Sequence, residues 1–71
     1  MTTPARAELL RLLADLSAEA PELRFGQLVA NLATLAQGAK VEAIWDAEDE
    51  DLVAAAQRLL RRYAERKTGA A

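Results

Sequence analysis

An all-α fold, a small three-helix domain, is what this sequence predicts, and three observations carry that expectation. Alanine (17 residues) and leucine (12) dominate the hydrophobic fraction while β-branched residues are scarce, a mixture rich in strong helix formers. Three segments space their apolar residues with a helical period, bounded by start and stop signals. The 71 residues suit one core, a single helical domain over 1–71 in which 68–71 fray. A chain this short buries a modest share of its surface, so a partner or self-association is expected from the outset.

The first helix is expected over about 4–18. Thr3 offers an oxygen to the free amides of the first turn, and Pro4 fits the first helical position because it has no amide to leave unpaired. Leu9, Leu10, Leu12, Leu13 and Leu16 cover an arc of roughly 160° at 100° per residue, opposite Glu8, Arg11, Asp15 and Glu19. That arc is wide for one neighbour. Pro21 disfavours helical geometry at Ala20 and stops the helix.

The second helix is expected over about 22–37, with Gly38 as a left-handed C-terminal cap. It carries three faces: a large apolar one (Phe25, Leu28, Val29, Leu32, Leu35, Ala36), a small one (Gly26, Ala30, Ala33) and an uncharged polar one (Gln27, Asn31, Thr34). Glycine within a helix costs roughly 1 kcal/mol against alanine, so Gly26 is expected to admit a close approach by another helix or chain. Poverty in charge predicts that this helix is the central, most buried one.

Residues 38–45 show no helical period and predict an extended loop. The third helix, about 48–66, has Asp46 or Asp49 as candidate N-cap. Leu52, Val53, Ala56, Leu59, Leu60 and Tyr63 share one stripe, and Gln57, Arg58, Arg61, Arg62 and Glu65 face away. Acidic residues at its start and basic ones towards its end complement the helix dipole.

Composition removes whole classes of chemistry. With no cysteine and no histidine there is no disulfide, thiol nucleophile or imidazole base, so an enzyme is not expected, nor is a cofactor. The longest uncharged stretch, 25–39, contains Gln27, Asn31, Thr34 and Gln37 and is too short and polar to cross a bilayer. The first residues lack the basic region and apolar run of an export signal, which leaves the cytoplasm as the expected compartment.

Several clusters qualify as candidate sites. The acidic run Asp46, Glu48, Asp49, Glu50, Asp51 could hold a hard cation, but counted from Asp46 as a calcium-binding loop it has Asp51 where glycine is required and Gln57 where glutamate closes the site. Helix capping accounts for the run, and no metal is expected. Arg58, Arg61, Arg62, Arg66 and Lys67 form a basic end that could track a phosphate backbone, yet Glu65 interrupts it and the net charge is −2.

The amides of Gln27 and Asn31, one turn apart, either bind a partner's polar groups or tie down a neighbouring loop. Trp45 is expected to close the core from the loop, with an interface role as the alternative. Arg24 either pairs with the acidic start of the third helix or faces a partner.

Residues 21–32, PELRFGQLVANL, followed by 44–52, IWDAEDEDL, resemble a group of small bacterial and phage proteins with no established function. The shared pattern is an arginine, an apolar residue, Gly-Gln-Leu, two further positions and an asparagine, then an aromatic and an acidic run ending in leucine. The resemblance spans 21–52, under half of the chain, and implies that Arg24, Gly26, Gln27, Asn31 and Asp49 form one constellation.

The functional expectation is a protein–protein interaction or regulatory module, self-associating as a homodimer, with Arg24, Gly26, Gln27, Asn31, Trp45 and Asp49 as candidate partner-binding residues. The alternative is a nucleic-acid-binding regulator using Arg58, Arg61, Arg62 and Arg66. Neither a membrane nor a small-molecule substrate is expected as a partner.

Overall fold

The computed structural model describes residues 3–68, which form four helices: α1 (Pro4–Glu19), α2 (Phe25–Gln37), α3 (Ala43–Asp46) and α4 (Asp49–Thr68). The all-helical expectation holds, and no strand occurs among the described residues. Three of the helices correspond to the expected three. Of the segment 68–71 expected to fray, Thr68 is the last residue of α4, and 69–71 lie outside the described residues.

The start of α1 follows from its first residues. Thr3 Oγ1 accepts the Arg6 N–H at 3.1 Å, and Pro4 occupies the first turn. At the other end the Ala20 N–H still reaches the Leu16 carbonyl at 3.0 Å, but its backbone has left helical geometry ahead of Pro21. The turn that follows pushes the start of α2 to Phe25, three residues beyond the expected boundary. Gln27 decides that start, since its Oε1 accepts the Arg24 N–H at 2.9 Å and satisfies an amide that the helix cannot.

Gly38 ends α2 at φ +93° and ψ 168°. This backbone is accessible to glycine alone, though it is not the left-handed helical cap expected. The link beyond it is not an extended loop either. The Ala43 N–H bonds the Lys40 carbonyl at 3.1 Å, and both the Trp45 and Asp46 amides bond the Glu42 carbonyl at 2.9 Å, winding the short α3. Lys40 Nζ lies 3.6 Å from Asp46 Oδ2 across that turn. Alternation of apolar residues over 41–45 could not reveal the turn, because tertiary burial of Ala43 against α2 is what holds it.

Among the described residues every buried side chain is leucine or alanine. Leu12 and Leu16 of α1, Leu28 and Leu32 of α2, and Ala55 and Ala56 of α4 make the central cluster, flanked by half-buried Leu13, Leu35, Leu52, Val53, Leu59, Leu60 and Tyr63. The central helix is therefore α4, not the charge-poor α2 expected. Both α1 and α2 pack on α4 and touch each other little. Ala55 and Ala56 are adjacent, roughly 100° apart around the helix, so two partners can each approach the α4 backbone closely.

Two side-chain contacts set the directions. Arg6 Nε meets Asp49 Oδ2 at 2.9 Å, so α1 and α4 begin at the same end of the molecule. Gln37 Nε2 donates to Asp51 Oδ2 at 3.0 Å, so α2 finishes at that end and runs antiparallel to α4. The result measures 40 × 29 × 19 Å. Its thinnest dimension is close to two helix diameters, which leaves each helix with an open face.

Candidate partner-binding surface

The α2–α4 link carries three of the exposed large apolar side chains, including the two most exposed among the described residues. Val41 is 90% exposed, Trp45 86% and Ile44 55%. Trp45 therefore does not close the core as expected. Its neighbour Ala43, two residues earlier, fills the position against α2 instead, and the short helix turns the indole outwards. Beside this patch lies a depression of about 190 Å³ lined by Ala30, Ala33, Thr34, Lys40, Val41, Ala43 and Ile44. Phe25, at the first turn of α2, is also more exposed than buried, although the period placed it on the large apolar face.

The small face of α2 is divided in its role. Ala33 is buried where α3 packs, whereas Ala30 is exposed and Gly26 faces open space: a Cβ built on it meets nothing within 4 Å. The close approach expected at Gly26 is thus not made within this chain.

Gln27 is spent on capping the start of α2 and does not tie down a neighbouring loop. Asn31, one turn on, is exposed and enters a groove of about 300 Å³ between α2 and α4. Thr34 stands with it on the α2 wall, Arg62 and Tyr63 form the α4 wall, and Leu35 and Leu59 are half-buried between them. The structure thereby joins a residue from the amide-bearing set to one from the basic set.

The constellation implied by the family resemblance is divided. Arg24, Gly26 and Gln27 lie at the start of α2, while Asp49 lies near the end of α2, roughly 20 Å away at 1.5 Å per residue. Arg24 consequently does not reach the acidic start of α4. Asp49 takes Arg6 instead, a residue that sequence spacing could not select because only the packing of α1 on α4 brings it near.

The acidic run is occupied in building the end of the bundle. The Glu48 carbonyl accepts the Leu52 N–H at 3.0 Å, which makes Glu48 the cap position in place of Asp46 or Asp49. Asp51 Oδ2 accepts the Glu48 N–H at 3.2 Å as well as the Gln37 amide. Among the described residues no group of three acidic side chains converges as a metal site would require.

At the other end of α4, Arg58, Arg61, Arg62 and Arg66 are all exposed. Arg66 lies over the Tyr63 ring, 5.4 Å from its centroid. Comparison with protein-family models, curated proteins and solved structures finds no match, so the surface is read from its own geometry.

Proposed function

We propose that this protein is a small helical interaction module, not an enzyme, and that it self-associates through the α3 side. The single observation that carries the reading is the outward Val41–Ile44–Trp45 patch. Large apolar side chains gathered outside the core are a recognised mark of protein interfaces, and tryptophan is prominent among the residues that dominate their energy. A leucine–alanine core in a chain of 71 residues leaves a stability gap that apolar association fills.

A second copy is the occupant. In a two-fold contact the same patch meets itself, so Trp45 of each copy faces the neighbouring depression of the other, with Glu42 and the Lys40–Asp46 pair at the rim. Among the described residues no helix is long and apolar enough to cross a membrane, and the cytoplasm is the compartment that suits the reading. The resemblance to the small bacterial and phage group remains part of this proposal.

Sedimentation velocity over a concentration series tests it directly. The wild type is expected to form dimers that Trp45→Ala converts to monomers without loss of helix; a wild type that stays monomeric throughout sinks self-association. A second reading, nucleic-acid binding, is favoured by the four exposed arginines of α4. Its mark is affinity for an oligonucleotide that falls steeply with salt.

A further inference from the structure

We infer that the groove between α2 and α4 is a second binding site, taking an acidic peptide segment. A carboxylate of that segment pairs with Arg62, and an adjacent aliphatic side chain rests on Leu35 and Leu59. This site adjoins the depression beside the Trp45 patch, sharing Thr34 with it, but Asn31 and Leu35 of α2 and Leu59, Arg62 and Tyr63 of α4 line the groove alone.

The composition of the groove selects the ligand. At about 300 Å³ it matches the lower range of sites that hold a few residues' worth of ligand. Its apolar base is made by half-buried Leu35 and Leu59, which suits an aliphatic side chain and gives nothing to a sugar or phosphate. The Asn31 amide on the α2 wall carries both a donor and an acceptor, the complement of an extended peptide backbone.

Charge decides the sign. Among the described residues no carboxylate pairs with Arg62, and Arg58 and Arg66 stand one turn away on either side of it. Glu65, the carboxylate one turn along α4, makes no ion pair with Arg62, and Asp49 and Asp51 are engaged at the opposite end of the helix by Arg6 and Gln37. A guanidinium at the edge of an apolar groove forms a two-pronged pair with a carboxylate and discriminates strongly against a neutral isostere. A nucleic acid fits less well. Arg66 already lies against the Tyr63 ring on which a base would stack.

The full-length protein is panned against a display library of random short peptides, and one selected peptide is synthesised with a fluorescent label. The expected pool is enriched in Asp or Glu next to Leu, Ile or Val. Binding of the labelled peptide, followed by anisotropy, should weaken at least about tenfold on Arg62→Ala and on Glu→Gln exchange in the peptide. Asn31→Asp, which puts a negative charge on the facing wall, should weaken it too and serves if the arginine variant misfolds by circular dichroism. Trp45→Ala should leave it unchanged. No enrichment, enrichment indifferent to Arg62, or tighter Arg62-dependent binding of a labelled single-stranded oligodeoxynucleotide would each overturn the inference.

Discussion

Arg6 and Asp49, separated by 43 positions in the chain, meet at 2.9 Å and hold the first turn of α1 against the first turn of α4. The pair fastens the chain's beginning to its longest helix at the end where α2 also finishes. Its environment sets its worth. The Arg6 side chain is more than half exposed, and such pairs contribute little once solvent screening is counted.

Breaking the pair is therefore expected to cost less than about 1 kcal/mol, with the coupling shrinking as salt is raised. A double-mutant cycle with Arg6→Ala and Asp49→Ala, read from urea midpoints, measures it. A coupling of several kcal/mol, insensitive to salt, would show that the contact is far better shielded than its exposure indicates.

Ala56 is fully buried where α1 and α2 converge on α4. Ala56→Leu adds apolar volume to a place with no room for it and should destabilise by about 1–3 kcal/mol despite the greater hydrophobicity. Leu16→Ala, the converse change across the same cluster, should cost about 2–5 kcal/mol. Chemical denaturation of both variants checks the packing; a neutral Ala56→Leu would mean that the helices do not approach closely there.

The two described glycines of the α2 region should respond with opposite signs. Gly38→Ala meets no atom within 4 Å but forces a side chain on to φ +93°, at a cost of about 1–3 kcal/mol. Gly26→Ala faces open space within helical backbone and should stabilise by roughly 0.5–1 kcal/mol. Thermal melts of both decide this, and a destabilising Gly26→Ala accompanied by lost association would reveal a second chain packed on that glycine.

Trp45 is 86% exposed and contributes little to the fold. Trp45→Ala should change unfolding free energy by no more than about 0.5 kcal/mol at concentrations where the protein is monomeric. Because Trp45 is the sole tryptophan, its emission should lie to the red in dilute solution and move to the blue on concentration. A blue, concentration-independent emission would place the indole inside the core after all.

Much of the helical layout was legible in the residues themselves. Thr3-Pro4, Pro21 and Gly38 mark boundaries by local sterics and by the fate of single amides, effects that act over a few residues and need no partner. The candidate surface was legible only in part. The exposed arginines of α4 follow from the period of their helix, whereas the outward turn of Trp45 depends on which of Ala43 and Trp45 packs against α2. A bare apolar alternation leaves that choice open.

By itself, then, the sequence determined the helical class, the three main segments, the Thr3-Pro4 start of α1 and the exclusion of thiol and imidazole chemistry, because these rest on composition and on interactions within one or two turns. Tertiary structure decided which helix is central, that Asp49 takes Arg6 and not Arg24, that Asn31 and Arg62 share a groove, and that α3 winds at all. Each of those depends on how closely backbones approach. The small side chains Ala55 and Ala56 set that approach for α4, and poverty in charge alone, which takes no account of alanine's size, points to the wrong central helix.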